Sequence, residues 1–135
     1  MYAIRVNQES AVVEFVLSGL VHMDEISRFT TDLEKATLRL AGRSIKIKAD
    51  VRALKLESPA VGERIREVQE FGLRKGVRRV AEIVESDTVA LQLNRVARES
   101  GTDKILRRFW EDESAMDWLL SEDPSTPAPS QRARR

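Results

Sequence analysis

The chain has 135 residues, 41% apolar and 33% charged, a composition typical of one domain with its own core and a well-solvated surface. Its 23 basic and 22 acidic residues leave a formal net charge of +1, which gives no basis for strong electrostatic capture of nucleic acid or a membrane. Cysteine is absent, and no apolar run approaches the roughly 20 residues that a membrane span needs. We therefore expect a soluble protein of a reducing compartment, the cytoplasm, without disulfides or a membrane span.

The first 40 residues predict a β-hairpin followed by a helix. Residues 2–7 and 11–17 are rich in strand-forming side chains, and the polar residues between them suit a tight connection. Over residues 23–40, apolar side chains recur every three or four positions and give one continuous stripe. Asp24 and Glu25 fall in the first turn of that helix, where negative charge is favourable.

The middle of the chain predicts a strand, a loop and a second helix. Residues 44–50 alternate apolar and basic side chains, as a strand does, and residues 51–57 are expected to form a connecting loop. Ser58 is a favourable N-cap residue, and Pro59 is a favoured first residue of a helix. Gly76 can end this helix, because glycine readily adopts the left-handed conformation common at helix C-termini.

A further strand–helix unit follows, and then a fifth strand. Residues 77–84 predict the fourth strand, and either Ser86 or Asp87 caps a third helix that Gly101 ends. Residues 104–109 predict the fifth strand. Strands that alternate with helices indicate parallel pairing through right-handed crossovers.

The end of the chain differs in composition from the rest. Asp112 is expected to cap a short last helix that reaches residue 120. Residues 121–135 hold three of the four prolines and end in an arginine-rich stretch, which predicts a disordered tail. The predicted domain therefore covers residues 1–120. Its order is β-β-α-β-α-β-α-β-α, an α/β fold with a mixed, mostly parallel five-stranded sheet and four helices.

Several local segments, in this order of elements, resemble the STAS domains (sulfate transporter and anti-sigma factor antagonist). The closer resemblance is to a branch of stand-alone bacterial proteins grouped with the STAS and CRAL-TRIO fold. The segments that carry it are residues 16–19 (VLSG), 48–52 (KADVR), 58–59 (SP), 66–71 (REVQEF), 91–93 (LQL) and 99–101 (ESG). None of these segments is a catalytic signature, so the resemblance implies a regulatory domain that acts through protein–protein interaction.

The resemblance also implies one candidate modification site. Anti-sigma factor antagonists of the family carry a phosphorylated serine at the start of the second helix, within an Asp-Ser-Ser-Gly-like stretch. The matching stretch here is Glu57-Ser58-Pro59-Ala60, which places Ser58 on the right element but lacks the following Ser-Gly pair. The alternative is that Ser58 is simply a helix cap, a contribution of about 1 kcal/mol.

The sequence offers little for catalysis, a metal or a cofactor. His22 is the only histidine, and without cysteine it cannot build a His/Cys metal site, so we interpret it as a possible cap of the first helix. Nucleophile-elbow, dinucleotide-binding and P-loop patterns are all absent. The acidic residues of the second helix alternate with basic ones at the spacing of surface ion pairs: Glu63, Arg64, Arg66, Glu67, Glu70 and Arg74. We therefore expect no enzyme, no metal and no cofactor.

One group of basic residues raises the question of nucleic-acid binding. It lies around the turn into the fourth strand and on the fifth strand, and consists of Arg74, Lys75, Arg78, Arg79, Arg107 and Arg108. The neighbouring carboxylates of Glu70, Glu82 and Glu85 dilute this charge, and no aromatic residues interleave with it for base stacking. We therefore expect no nucleic-acid partner.

The residues near the carboxyl ends of the strands predict a partner or ligand surface, since open α/β sheets bind ligands there. This predicted surface consists of Leu20, Val21, Met23, Asp50, Leu54, Leu56, Glu57, Ser58, Val61 and Ile65. The main interpretation is docking on another protein or on a second copy of the chain, a homodimer, which would cover Leu20, Val21 and Trp110 in exposed joints. The alternative is a carrier or sensor of a small apolar ligand, as in CRAL-TRIO relatives.

Overall fold

The structure is a computed structural model that describes residues 1–121. Its strands are β1 (Tyr2–Asn7), β2 (Val12–Leu17), β3 (Gly19–Val21), β4 (Ile45–Asp50), β5 (Leu54–Leu56), β6 (Val77–Ile83) and β7 (Leu106–Phe109). Its helices are α1 (Met23–Leu38), α2 (Pro59–Lys75), α3 (Asp87–Ser100) and α4 (Asp112–Leu120), with a short 3₁₀ turn at Thr102–Lys104. The predicted tail lies almost wholly outside the described residues.

The main sheet has five strands in the order β1-β2-β4-β6-β7. β1 and β2 form an antiparallel hairpin, and all other neighbours in this sheet are parallel. Each parallel connection carries a helix, as the alternation of strand and helix patterns predicts. The predicted fold class, a mixed and mostly parallel five-stranded sheet with four helices, is confirmed.

The two faces of the sheet carry separate hydrophobic clusters. Successive residues of a strand point to opposite faces, and β6 shows this clearly: Val80 belongs to one cluster, whereas Ala81 and Ile83 belong to the other. The larger cluster includes the buried stripes of α1, α2 and α3. The smaller one is covered by α4, whose Trp118 ring packs near Phe109. The chain therefore folds as three layers, with most of its core on the side of three helices.

Three predicted boundaries need correction. The first helix ends at Leu38, because the next residues form turns that bond back to it. Asp112 is not the N-cap of the last helix: Glu111 holds that position, and the Asp112 carboxylate bonds Lys48 of β4 instead. The fifth strand begins at Leu106 rather than residue 104, because a 3₁₀ turn occupies the preceding residues.

A second, two-stranded sheet stands where a loop was predicted. β3 and β5 pair in parallel, with Gly19 opposite Leu54 and Val21 opposite Leu56. The prediction that residues 51–57 form only a loop was wrong, since three-residue strands are too short to show a clear alternation. The Gly19 amide also donates to the Ala53 carbonyl at 2.8 Å, so a long-range contact fixes this pairing.

Among residues 1–121, no helix combines the length and the apolar character that crossing a membrane requires.

Candidate interaction site at the starts of two helices

The small sheet places the starts of α1 and α2 beside each other. Val21 and Leu56 are paired across β3 and β5, so the residue after each strand, His22 and Glu57, also lie together. Nδ1 of His22 forms a hydrogen bond with the Glu57 carboxylate. His22 occupies the predicted N-cap position of α1, but its ring makes no capping bond.

Ser58 holds the N-cap position of α2 without using its hydroxyl as a cap. Its backbone is extended, with φ −157° and ψ 163°, and its carbonyl accepts from the amides of Val61 and Gly62. The side chain makes no capping hydrogen bond, although the residue is half-buried. The predicted position of Ser58 is therefore confirmed, but the predicted capping contribution of its hydroxyl is not made.

The two adjacent helix starts differ in electrostatics. α1 carries Asp24 and Glu25 in its first turn, where their negative charge compensates the positive end of the helix dipole. α2 has no acidic residue in its first turn. Glu57 stands just before α2, but its carboxylate is engaged with His22. The start of α2 therefore presents a positive helix end beside a hydroxyl that makes no capping bond.

Only part of the predicted surface is exposed. Leu20 and Met23 are 52% and 38% exposed, and Glu57 is exposed as well. Leu56, Ser58 and Asp50 are half-buried. We call the group Leu20, His22, Met23, Glu57 and Ser58 the helix-start surface.

Four residues of the predicted surface belong to the hydrophobic core instead: Val21, Leu54, Val61 and Ile65. Their burial leaves them out of a protein-docking surface, whereas Leu54 and Ile65 line the apolar cavity described below. The inner faces of the short strands turn toward α1 and α2, and Val61 and Ile65 lie on the inner stripe of α2. Trp110, predicted in an exposed joint, is 41% exposed.

Asp50 forms hydrogen bonds within the turn that precedes β5. Its carboxylate accepts from Nε and Nη2 of Arg52 at 3.0 and 2.7 Å, and from the Arg52 amide at 3.2 Å. The Arg52 hydrogen bonds lower the pKa of Asp50 against an opposing effect of burial. Asp50 therefore stabilises the turn between β4 and β5, and its half-buried carboxylate is engaged by Arg52.

A small cavity lies between the sheet and helices α1, α2 and α3. It has a volume of about 70 Å³, and its walls are mostly apolar, with Phe15, Leu33 and Leu93 among them. The carboxyl of Glu82 also reaches this cavity, and it is buried. The sequence predicted that Glu82 offsets part of the basic group, and its pairing with Arg108 agrees with that, but the burial of Glu82 was not predicted.

Glu82 is balanced by a residue of the neighbouring strand. The register pairs Glu82 of β6 with Arg108 of β7, and Oε1 of Glu82 lies 2.8 Å from Nη2 of Arg108. Arg108 also donates to the side chain of Asn94 on α3. Burial raises the pKa of Glu82, and Arg108 opposes that rise. The pairing could not be read from the sequence, because it depends on the register of β6 and β7.

Comparison with known proteins gives structural matches alone. No family model and no curated protein sequence matches the chain. A crystal structure of an uncharacterized protein of the DUF3478 family with a SpoIIAA-like fold, from Shewanella loihica PV-4, matches with a TM-score of 0.62 and 21% identity. The match covers 88% of this chain and 92% of that one.

A second match is the anti-sigma factor antagonist SpoIIAA in its unphosphorylated form, with a TM-score of 0.57 and 18% identity. It covers 87% of this chain and 94% of SpoIIAA. The order of elements and these matches together define an α/β domain with the SpoIIAA-like fold. At these identities the likeness establishes the fold alone.

Proposed function

We propose that the chain is a non-enzymatic regulatory module that binds a partner protein through the helix-start surface. The observation that carries the proposal is Ser58, an N-cap serine whose hydroxyl makes no capping bond at a helix start without acidic residues. Leu20 on β3 and Met23 at the start of α1 are exposed and supply apolar contact area on the same helix-start surface. The match to an anti-sigma factor antagonist supports a regulatory role of this kind.

Phosphorylation of Ser58 is the proposed switch. A phosphoserine carries about −1.5 to −2 charge at neutral pH, and helix N-termini favour anions. The positive end of α2 can accommodate that charge, because no acidic side chain of its first turn competes for it. The same charge on the helix-start surface would oppose its desolvation by an apolar partner. Phosphorylation is thus expected to stabilise the helix start and to weaken binding.

The environment of the buried carboxylate supports the non-enzymatic part of the proposal. Among the described titratable groups whose pKa is shifted, Glu82 is the most deeply buried. Arg108 balances its charge at 2.8 Å, and the cavity beside it has only about 70 Å³. General acid–base catalysis needs such a group within reach of a bound substrate. A small site in which the charge of Glu82 is balanced by Arg108 favours a structural role for Glu82.

The docking surface can be tested by capture from an extract of the source organism. Tagged wild-type protein, Leu20→Asp and Leu91→Asp are compared, since Leu91 is 68% exposed on α3 and serves as a matched control. We expect one protein to be retained by wild type and Leu91→Asp and lost from Leu20→Asp. Equal retention by all three forms would contradict the helix-start surface.

The switch is tested separately by incubation of the protein with the same extract and ATP. Mass spectrometry then identifies which residues carry phosphate. Ser86 provides an internal control, because it is also an N-cap serine but its side chain accepts from the Val89 amide. We expect phosphate on Ser58 and none on Ser86. Phosphate on other residues alone would remove the switch and leave the docking test standing.

The partner protein can also be a second copy of the chain, which would form a homodimer through the helix-start surface. Analytical ultracentrifugation distinguishes it: a dimer that Leu20→Asp converts to a monomer identifies self-association. A wild-type monomer at high concentration leaves a different protein as the partner.

The second candidate function, a carrier or sensor of a small apolar ligand, is supported by the cavity beneath α1, α2 and α3. Its volume of about 70 Å³ limits the ligand. A cavity of about 150 Å³ is of the size that admits benzene, so a lipid would require the helices to separate. Native mass spectrometry of protein purified from its source tests this directly: a co-purifying small molecule supports it, and bare protein opposes it.

A further inference from the structure

A basic cleft lies at the end of the sheet opposite to the helix-start surface. It opens where β2, β4 and β6 begin and where α4 ends, and its volume is about 700 Å³. Four cationic side chains line it: Arg43, Lys46, Arg78 and Arg79. Glu9 is the one acidic residue on its walls within the described part of the chain. This cleft has no role in the function proposed above.

A β-bulge explains why three of the cations converge. Ile45 pairs with Val77 and Lys46 pairs with Arg79, so Arg78 is an extra residue without a partner on β4. An extra residue of this kind re-aims the side chains beside it. Arg78 and Arg79 therefore both line the cleft, although they are neighbours in a strand and would otherwise point to opposite faces.

Backbone carbonyls, rather than carboxylates, hold these cations in place. Arg43 donates to the carbonyls of Gln8 and Glu9, and Nζ of Lys46 donates to the Ser10 carbonyl at 2.7 Å. Arg79 is buried, donates to the Trp118 carbonyl and to Oγ of Ser121, and stacks over the Trp118 ring. Neutral acceptors position these side chains without cancelling their charge.

The positive charge of the cleft is also uncompensated by ion pairs. Within residues 1–121, none of the four cations forms a salt bridge, whereas most other arginines near carboxylates do. Burial lowers the pKa of Lys46, and repulsion from Arg43 and Arg79 lowers it further. The folded chain therefore holds like charges close together, and an anion bound in the cleft would reduce their mutual repulsion.

We propose that this basic cleft binds a phosphate-bearing small molecule. Arginine is the side chain best suited to phosphate oxygens, because its planar group donates two parallel hydrogen bonds. Three arginines and a lysine around one opening match a group with more than one negative charge. The cleft volume of about 700 Å³ lies within the range of small-molecule sites, about 300–1,000 Å³.

The test is titration of the full chain with pyrophosphate, followed by calorimetry and by amide chemical shifts. Arg78→Ala is the informative variant, because Arg78 is exposed and its removal leaves the buried contacts of Arg79 in place. Arg28→Ala is the matched control, an exposed arginine of α1 that removes the same charge. Thermal unfolding of both variants verifies that they fold.

We expect saturable binding of one pyrophosphate, with shifts at Arg43 and Lys46. Arg78→Ala is expected to weaken it by about tenfold or more, and Arg28→Ala to leave it within about twofold. Absence of saturable binding to wild type, or equal affinity in the two variants, would overturn the proposal. Binding to phosphatidylglycerol vesicles without binding of pyrophosphate would overturn it too, in favour of a membrane surface.

The chain itself supplies one competing source of negative charge, Glu122 and Asp123, which directly follow Ser121 in the sequence. The variant Glu122→Gln/Asp123→Asn is therefore titrated in parallel. We expect its affinity for pyrophosphate to equal or exceed that of wild type. Binding that occurs only in this variant would overturn the proposal and identify the chain's own carboxylates as the occupant.

Discussion

Helices α2 and α3 both begin with an N-cap serine after a short connection, yet the two starts are built differently. Oγ of Ser86 accepts from the Val89 amide at 3.2 Å, and Asp87 stands in the first turn of α3. Ser58 makes no such bond, and α2 has no acidic residue there. The same residue type in the same position is used for structure in one helix and left available in the other.

Burial of an apolar side chain takes the place of the missing cap in α2. Val61, the third residue of α2, is fully buried, whereas Val89, the third residue of α3, is half-buried. The start of α2 is thus held from within the core, and the start of α3 is held by its cap. This difference shows that an N-cap serine need not form a capping hydrogen bond where a buried side chain stabilises the helix start.

The largest expected effect comes from truncating each of the two valines to alanine. Val61→Ala should lower the free energy of unfolding by about 2 kcal/mol, because it removes fully buried methyl groups and leaves a cavity. Val89→Ala should cost less than about 1 kcal/mol, since that side chain is only partly buried. Urea unfolding measures both, and equal losses would show that the two starts are anchored alike.

The serine pair tests the caps themselves. Ser86→Ala should cost about 1 kcal/mol, because it removes the acceptor for the Val89 amide. Ser58→Ala should change stability by less than about 0.5 kcal/mol, because no capping bond is lost. Thermal or urea unfolding distinguishes the two, and a loss at Ser58 as large as that at Ser86 would mean that its hydroxyl does cap α2.

A carboxylate at the two caps should act in different ways. Ser58→Asp is expected to raise stability by about 0.5 kcal/mol, because the first turn of α2 has no acidic residue and the Glu57 carboxylate before it is engaged with His22. Ser86→Asp should be close to neutral, since aspartate caps as well as serine and Asp87 is already present. Ser58→Asn is the uncharged control. The gain should fade at about 1 M salt, and a gain that persists there would not be electrostatic.

The smallest expected effect concerns the turn that leads to β5 and then to α2. Asp50→Asn should cost less than about 1 kcal/mol at neutral pH, because Arg52 is partly solvent-exposed and screening weakens the pair. The folded pKa of Asp50 lies below its ordinary 3.8, so its contribution is present above that pH and is lost as the pH falls through the lowered value. The difference between wild type and Asp50→Asn, followed by urea unfolding from neutral to acidic pH, should therefore shrink. A difference that grows on acidification would contradict the Arg52 contact.

Periodicity predicted the main elements well because each is long enough to repeat its pattern. The buried stripe of α2, with Val61, Ile65 and Val68, is one such case. The pairing of β3 with β5 could not be predicted, because three residues show no clear alternation and a distant segment selects the partner. Ser58 marks the limit most clearly: its type and position predict a cap, but whether the hydroxyl bonds an amide depends on the torsions of the folded chain.

Charges showed the same limit as the short strands. Glu82 and Arg78 both look like surface residues when the sequence is read alone. The register of β6 with β7 buries Glu82 against Arg108, and the bulge opposite Ile45 turns Arg78 toward the basic cleft. Strand register therefore decides the role of each of these side chains, and register is a property of the assembled sheet.

The most direct measurement is the affinity of the captured partner for two forms of the full chain, unmodified and phosphorylated on Ser58. Phosphate on Ser58 adds charge at the N-cap of α2, within the helix-start surface. We predict that phosphorylation weakens the complex by about tenfold or more, with the fold unchanged. An affinity that is the same for both forms would contradict the role of Ser58 as the switch of this surface.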